Sequence, residues 1–301
     1  LFMGSGKAIS LAGPSLLLAY LIIGLMLFFV MRAMGEMLLH DLRYKSFQDF
    51  SRVMIGPWAG FFAGWTYWIL WVVTAAAEMI AIIGYFDFWI GNLNISMLCT
   101  AVLLLALLGS NLLTVKLFGE LEFWFALIKI IAIIALILVG AWMVVTRFVS
   151  PDGTAASVTY LWSRGGVFPT GLSGFLAAFQ LAVFSFIGTE LIGTTAAETA
   201  DPRTTLPKAI DAIPVRIIVF YVLALAAIMS VTPWDEVNPE VSPFVNVFNL
   251  VGLVAAASVM NFVVLTSASS SSNSGIFSTS RMLYGLAGTG YATERFSRLS
   301  R

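Results

Sequence analysis

Long apolar runs are the feature that most limits what this chain of 301 residues can fold into. An α-helix rises 1.5 Å per residue, so about 20 apolar residues are needed to cross the roughly 30 Å of hydrocarbon in a bilayer. Seven runs reach this length, after a half-length apolar segment at Leu1–Ser10. They are Pro14–Leu39, Pro57–Phe86, Ser96–Val115, Phe123–Thr146, Gly174–Thr199, Pro214–Thr232 and Val247–Ala268. The sequence therefore predicts an all-α, polytopic transmembrane helical bundle.

The composition points to the same class of protein. Hydrophobic residues make up 59% of the chain and charged residues 11%, and the mean hydropathy is +0.94, whereas soluble domains have about 45–50% apolar and about 25% charged residues. The formal net charge is zero, so nothing predicts a nucleic-acid partner. With one cysteine (Cys99), one histidine (His40) and no nucleophile–base or metal-ligand spacing, we predict that the protein is not an enzyme and has no metal and no cofactor.

Basic residues predict the orientation of the spans, because loops rich in Lys and Arg stay in the cytoplasm. The loops Asp87–Ile95, Arg147–Ser173 and Pro233–Asn246 contain only Arg147 and Arg164. The loops on the other side hold ten: Arg43, Lys45, Arg52, Lys116, Arg203, Lys208, Arg281, Arg295, Arg298 and Arg301. We therefore predict that the second set is cytoplasmic. The segment Ser150–Thr170, rich in Gly, Pro, Ser and Thr, is predicted to be an external loop with short structure between two halves.

A carboxylate lies inside one predicted span, at Glu190 in the run Phe184–Gly193. A charge in hydrocarbon is expensive, so a residue of this kind is a functional-site hypothesis. The glycines and hydroxyl residues around Glu190 give the helix a place to break, and interrupted helices form the binding sites of transporters. The alternative is a structural carboxylate that accepts hydrogen bonds from the backbone of a neighbouring helix.

Two other ionisable residues inside the predicted spans are Lys129 and Glu36. Lys129 lies seven residues into its span, about 10 Å deep at 1.5 Å per residue. It is either a cation inside the bundle, or a snorkelling anchor or structural ion pair. Glu36 follows Arg32 by four residues, which predicts an ion pair within the helix. The aromatic residues of Pro57–Phe86 are predicted to anchor the span at the membrane interface or to pack against other helices. Tyr67 is the exception, and its expected role follows from a resemblance given below.

The serine-rich run Ser269–Ser272 is predicted to be helical in spite of its composition. Val263–Leu265 precede the run without a break, and apolar residues resume helical spacing after it. We therefore predict one continuous helix rather than a low-complexity linker. Its small face, which includes Ser267, Ser271 and Ser274, permits close packing and offers hydroxyls to a buried polar centre.

Three stretches of the chain carry a resemblance to a known family. They are Phe118–Lys129, Phe186–Thr199 and Asn273–Leu283. They resemble bacterial amino acid permeases of the amino acid/polyamine/organocation superfamily, and the resemblance covers essentially the whole chain. Such permeases have twelve spans in which two five-helix repeats are inverted, and helices one and six are broken near the midplane. The resemblance implies this fold, with Leu1–Ser10 as the outer half of helix one, Gly174–Thr199 as helix six and Val247–Ala287 as helix eight.

The resemblance also implies how the chain is organised. Residues 1–301 would be a single transmembrane transporter domain, truncated at both ends and containing roughly helices one to eight. Residues 1–149 would be the first repeat, and residues 150–301 the external loop with part of the second repeat. Because the break of helix one would precede Leu1, we expect this chain not to transport by itself.

The activity implied by the resemblance is secondary active transport. Trp65–Trp68, Gly193–Thr199 and Ser242–Val245 are similar to the corresponding segments of permeases for D-alanine, D-serine and glycine. We expect proton-coupled import of these small neutral amino acids by a multi-pass protein of the bacterial inner membrane. The partners would be the amino acid, protons and the lipid bilayer. One alternative is a permease of this fold for proline, an aromatic or a basic amino acid, and another is a non-transporting amino-acid-binding receptor.

The predicted substrate site is the break itself. Where the helix is interrupted, backbone carbonyls lose their intrahelical donors and can accept hydrogen bonds from a substrate ammonium group. By residue-to-residue resemblance, Phe184 would also be the aromatic gate over the substrate. The residues assigned to this site are Phe184, Ser185, Phe186, Ile187 and Gly188.

The resemblance implies roles for six residues outside the segment whose backbone is predicted to bind the substrate. Glu190 matches a carboxylate that senses or carries a proton. Lys129 matches a lysine whose ammonium stands where sodium-coupled relatives bind sodium, which favours proton coupling. Tyr67 falls where an aromatic of helix three lies beside the substrate path. The partners expected for Lys129 on helix eight are Ser267, Ser270 and Ser271.

Overall fold

The computed structural model describes residues 2, 4–41, 44, 46–113, 115–151, 153–191, 201–252 and 254–298, and its regular structure there is helical. Eight α-helices precede residue 192: α1 (Gly4–Ala12), α2 (Ser15–His40), α3 (Phe47–Met54), α4 (Pro57–Ile90), α5 (Leu93–Leu113), α6 (Val115–Thr146), α7 (Tyr160–Ser163) and α8 (Gly171–Phe184). Five follow: α9 (Pro202–Asp211), α10 (Ile213–Ile217), α11 (Ala224–Val231), α12 (Pro243–Leu250) and α13 (Val254–Gly288). A π-helix, Ile218–Leu223, joins α10 to α11. The predicted all-α class is confirmed.

Within the described residues, five stretches of helix are long and apolar enough to cross a membrane, whereas the sequence predicts seven full spans. They are Ser15–His40, Pro57–Ile90, Leu93–Leu112, Gly119–Thr146 and Pro202–Val231. The predicted span Gly174–Thr199 differs because its helix ends at Phe184 after 14 residues, and residues 192–200 lie outside the described part of the chain. Helix α13 is 35 residues long, but its serine-rich run makes it less apolar than the other spans.

Several predicted boundaries differ from those of the helices, and two of them have different physical reasons. Helix α6 begins at Val115, eight positions before the predicted Phe123, because charged residues such as Glu120 are good helix formers outside the hydrocarbon. The last predicted span does not begin at Val247. There α12 ends at Leu250, and Gly252 adopts a φ of +74° that favours glycine before α13 begins. The prediction of one helix through the serine-rich run is confirmed, because α13 continues from Val254 to Gly288.

The chain forms two compact units. Unit 1 contains Leu1–Phe29, Ala126–Ile187 and Asp211–Val264, and unit 2 contains Val30–Phe125, Gly188–Ile210 and Leu265–Arg301. The change from unit 1 to unit 2 between Ile187 and Gly188 falls inside the predicted helix break. The division of residues 1–149 and 150–301 into inverted repeats stays a prediction.

In unit 1, α1 and α8 pack backbone against backbone. A Cβ placed on Gly174 of α8 would overlap the carbonyl oxygen of Leu11 and the side chain of Thr170. The predicted external loop has short structure, as expected, in α7. The Arg164 guanidinium after α7 donates hydrogen bonds to Asp235 and Glu236, at 2.9 and 2.8 Å for the closest oxygens. The bond to Asp235 raises the pKa of Arg164 above its usual value. These ion pairs therefore attach the loop that follows α7 to the segment that contains Asp235 and Glu236.

In unit 2, a short amphipathic helix that the sequence analysis missed packs on a membrane span. Helix α3 buries Gln48 and Phe50. A Cβ on Gly60 of α4 would lie 2.6 Å from Arg52 Cβ of α3, which shows how closely the two helices approach. The predicted pair between Arg32 and Glu36 is confirmed, with Nε and Oε1 3.4 Å apart.

We predict that Gly174→Ala destabilises the protein. The added methyl group would meet a backbone carbonyl, which cannot move as a side-chain end can, so we expect a loss of about 1–3 kcal/mol in the free energy of unfolding. Thermal unfolding of the detergent-purified protein measures this change.

Gly84→Ala is the matched control for Gly174→Ala. Gly84 lies inside α4, and no described heavy atom would lie within 4 Å of its added Cβ. Alanine in a helix interior is favoured over glycine by about 0.5–1 kcal/mol, so this variant should unfold at or above the wild-type temperature. Equal unfolding temperatures for the two variants would contradict the packing argument.

Candidate functional site

Helix α8 stops inside the apolar run, where the sequence predicts a break. After Phe184 the backbone amides of Ser185, Phe186 and Ile187 donate to carbonyls three residues earlier, at 3.0, 3.0 and 3.3 Å. Such bonds tighten the last turn of a helix and satisfy some of its terminal carbonyls. Gly188 then adopts a φ of +101°, which side chains other than glycine rarely adopt. The predicted departure from helical geometry at Phe184–Gly188 is therefore confirmed.

Glu190 binds the interrupted turn directly. The backbone amide of Gly188 donates a hydrogen bond to Glu190 Oε2 at 2.9 Å. The other carboxylate oxygen, Oε1, is buried and has no hydrogen-bond partner within the described part of the chain. The hydrogen bond thus comes from the carboxylate's own turn, whereas the structural alternative expected from the sequence was a bond from the backbone of a neighbouring helix. One hydrogen bond thus connects the carboxylate of Glu190 to the backbone of the interrupted turn.

Trp71 forms the wall next to this turn in unit 2. Its side chain is 2% exposed. A Cβ placed on Gly188 would lie 3.9 Å from Trp71 Cη2, and a Cβ placed on Gly275 of α13 would lie 3.1 Å from Trp71 Cε3. Trp71 therefore packs inside unit 2, against two glycines. The sequence analysis did not name it as a site residue, although it lies one helical turn after Tyr67.

Tyr67, which the resemblance assigns to the substrate path, is also buried in unit 2. Its ring contacts those of Phe47 and Trp71 edge to face, with centroids 4.9 and 6.2 Å apart. Helix α3 supplies Phe47, so the missed short helix helps to position this residue. Whether Tyr67 contacts substrate stays a prediction.

The half of the break that belongs to unit 1 is surrounded by aromatic side chains. Phe186 is buried and stacks on Tyr221, with centroids 4.8 Å apart and planes at 20°. The hydroxyls of Tyr20 and Tyr221 reach Ser185, at 2.8 Å to Oγ and 2.9 Å to the carbonyl oxygen. The ring of Phe184, the predicted gate, is 54% exposed. Neither Tyr20 nor Tyr221 was predicted from the sequence, where each is one aromatic residue in an apolar run.

The serines of α13 do not all have the same environment. Ser270 is buried and donates to Glu122 Oε2 at 2.7 Å, whereas Ser267 and Ser271 are half-buried. Lys129 is half-buried in α6. Lys129 belongs to unit 1 and the three serines to unit 2, so their pairing stays a prediction.

A polar cluster around Glu122 was missed by the sequence analysis. The Asn273 amide donates to Glu122 Oε1 at 3.0 Å, and its oxygen accepts from Asn111 at 2.6 Å. With Ser270, these residues join α5, α6 and α13 within unit 2. The spacing of Ser270 and Asn273 on one helix face was a usable signal, because side chains three residues apart lie on the same side.

We predict that Asn273→Ala weakens unit 2. The substitution removes both amide hydrogen bonds and deprives the Glu122 carboxylate of a donor. Leaving a buried polar partner unpaired costs about 1–3 kcal/mol, and more when the partner is charged. Thermal unfolding of the purified protein should report this loss.

Ser271→Ala is the control for this cluster. Ser271 is half-buried on the same helix but takes part in none of the three hydrogen bonds. We expect its unfolding temperature to be close to that of the wild type. A loss as large as that of Asn273→Ala would show that the cluster is not what stabilises α13.

Comparison with known proteins decides the family. The model of the family described as "Amino acid permease" matches residues 1–301. The chain belongs to the amino acid permease family. The described part of the chain contains five helices long and apolar enough to cross a membrane. With the family, they make the protein a multi-pass protein of the bacterial inner membrane. The family resemblance of the sequence is confirmed.

Individual permeases are similar over nearly all of this chain. A D-serine/D-alanine/glycine transporter of Escherichia coli K12 is 63% identical over 303 residues, which cover 100% of this chain and 64% of the transporter. The amino-acid permease AapA of Bacillus subtilis is 52% identical, with 100% and 64% covered. The DL-alanine permease SerP2 of Lactococcus lactis is 46% identical over 288 residues, with 95% and 62% covered. The chain thus spans a little under two thirds of the length of these permeases.

Proposed function

We propose that the protein is a secondary active transporter that carries small neutral amino acids, among them D-alanine, D-serine and glycine, into the cell with protons. The observation that carries the proposal is the interrupted helix, in which the Gly188 amide donates to the half-buried carboxylate of Glu190. An interrupted helix inside a membrane protein is tolerated where it is buried or lines a cavity, and it exposes backbone groups to a ligand.

Relatives support the choice of substrate. The names of the Escherichia coli and Lactococcus lactis proteins include alanine, and the first also includes D-serine and glycine. Alanine, serine and glycine have small side chains. The buried ring of Phe186 within the break fits a preference of this kind, because it fills space that a larger side chain would need.

Glu190 is the residue proposed to couple transport to protons. As a carboxylate it accepts the Gly188 amide, and on protonation the oxygen that carries the proton becomes a donor. Because a charged acceptor forms the stronger hydrogen bond, gain of a proton would weaken the bond that Glu190 accepts from the substrate-binding turn, and loss of the proton would strengthen it. Lys129 is proposed to supply the fixed positive charge that replaces a sodium ion.

The first prediction for this function concerns substrate choice. In proteoliposomes that contain the full-length protein, labelled D-alanine, D-serine and glycine should accumulate when the outside is made acidic, and proline and lysine should accumulate much less. The measurement is the initial rate of uptake of each amino acid.

Each alternative has its own result in this experiment. Uptake of proline or lysine in preference to alanine and glycine would indicate a permease of the same fold with another substrate. Saturable binding of an amino acid without uptake, in the presence of a proton gradient, would indicate a receptor instead.

The second prediction is that Glu190→Gln abolishes proton-driven accumulation and retains exchange. The glutamine oxygen can still accept the Gly188 amide, so the turn keeps its hydrogen bond, but the side chain cannot take up a proton. Substrate-dependent acidification of the vesicle lumen, followed with a pH-sensitive dye, and counterflow of labelled glycine measure the two activities.

Glu36→Gln is the matched control for the coupling experiment. Glu36 is an exposed carboxylate that pairs with Arg32 on α2, and its loss should leave substrate-dependent acidification intact. Accumulation at the wild-type level in Glu190→Gln would remove Glu190 from the coupling mechanism.

A further inference from the structure

Two tyrosines that have no role in the proposed mechanism contact the helix break in unit 1. The Tyr20 hydroxyl lies 2.8 Å from Ser185 Oγ, and the Tyr221 hydroxyl donates to the Ser185 carbonyl oxygen at 2.9 Å. We propose that Tyr20 and Tyr221, the tyrosine pair, are positioning residues that hold the interrupted end of α8 in the geometry that binds the substrate amine. This inference rests on the proposed function.

The Tyr221 hydroxyl supplies a donor that the broken helix lacks. The last four carbonyls of an α-helix have no intrahelical amide donor, and inside a membrane protein water is scarce. Beyond Phe184 three backbone amides donate hydrogen bonds to carbonyls of α8, and the Tyr221 hydroxyl donates to the carbonyl of Ser185. This carbonyl was assigned to the substrate from the sequence. In this arrangement Ser185 instead contributes by fixing the direction of the turn that follows it.

The rings of the tyrosine pair fix the same turn from its apolar side. Phe186 stacks on Tyr221, and the centroid of the Tyr20 ring lies 5.6 Å from that of Phe186 and 5.3 Å from that of Tyr221. Tyr20 is 1% exposed and Phe186 is 6% exposed. Two consecutive residues of the break, Ser185 and Phe186, are thus held by hydroxyls and by rings respectively. Removing only the hydroxyls separates these two contributions.

A close approach of two helices brings the tyrosine pair together. A Cβ placed on Gly24 of α2 would lie 2.8 Å from methyl groups of Ile217 at the end of α10. Tyr20 precedes Gly24 by one helical turn, and Tyr221 follows Ile217 by one turn. Tyr221 lies in the π-helix Ile218–Leu223. Short π-helical segments inside α-helices are rare and occur frequently at functional sites, and here the segment supplies the side chain that caps the break.

Tyr221→Phe tests the positioning role, because the variant keeps the ring that stacks on Phe186 and loses only the donor. In proteoliposomes with the full-length protein, we expect KM for glycine uptake to rise between about 2-fold and 10-fold, the range that one hydrogen bond supplies. The maximal rate should stay near that of the wild type, and the unfolding temperature should fall no further than in Asn273→Ala, because one carbonyl rather than a carboxylate loses its donor. A loss of stability or of maximal rate without a change in KM would reduce Tyr221 to a structural residue and overturn the proposal.

Tyr160→Phe is the matched control for Tyr221→Phe. Tyr160 also donates its hydroxyl to a backbone carbonyl in unit 1, that of Ala155 at 2.7 Å, but in the exposed loop. Its KM should equal that of the wild type. An equal rise of KM in both variants would overturn the proposal.

Tyr20→Phe and Ser185→Ala test the other half of the pair. Each variant removes one side of the same hydrogen bond, so the double variant should raise KM no more than the larger single effect. Additive effects would show that the two hydroxyls do not act together. If the wild-type protein takes up no amino acid, the proposed function fails and this inference with it. Normal wild-type uptake with unchanged KM in the variants rejects the inference alone.

Discussion

An interrupted helix inside hydrocarbon is stable only if its freed backbone groups find hydrogen-bond partners, because lipid offers none. At the end of α8 these partners come from three sources. Backbone amides turn back by three residues, the Tyr221 hydroxyl donates to Ser185, and the Glu190 carboxylate accepts the Gly188 amide. Two of these partners are side chains, from Tyr221 and Glu190, so the stability of the break depends on residues outside the backbone of α8.

Close packing of backbones provides the framework for this arrangement. Gly174 lets α8 approach the Leu11 carbonyl of α1, Gly24 lets α2 approach Ile217, and a Cβ on Gly140 would lie 2.9 Å from the Ala227 methyl group. In membranes helices gain little from burying apolar surface, so small residues that permit van der Waals contact and hydrogen bonds decide which helices associate. Glycines in these helices therefore have a packing role, whereas Gly188 is required for its backbone conformation.

Helix α13 shows how polar residues are accommodated in such a protein. Its serine-rich run would be expensive on a surface that faces lipid. Ser270, Asn273, Asn111 and Glu122 instead form hydrogen bonds with one another within unit 2. The cluster gives this helix a specific partner on α5 and on α6, since an amide and a carboxylate must meet with their donors and acceptors aligned. Other helices expose the apolar side chains that suit a lipid environment. In α2 each of these is at least 60% exposed: Leu25, Met26, Phe29 and Val30.

The sequence by itself determined the all-helical membrane class, the family and the place of the break. Each of these follows from local properties: the length of an apolar run, a shared motif, and the glycines and hydroxyl residues around a carboxylate inside such a run. Only the tertiary structure decided which side chains surround the break. Tyr20 and Ser185 are 165 positions apart in the chain, and Glu122 and Ser270 are 148 apart. The spacing of Ser270 and Asn273 marks a polar helix face, but no local pattern identifies the partner of such a residue, because the pairing arises only when packing brings distant helices within hydrogen-bond distance.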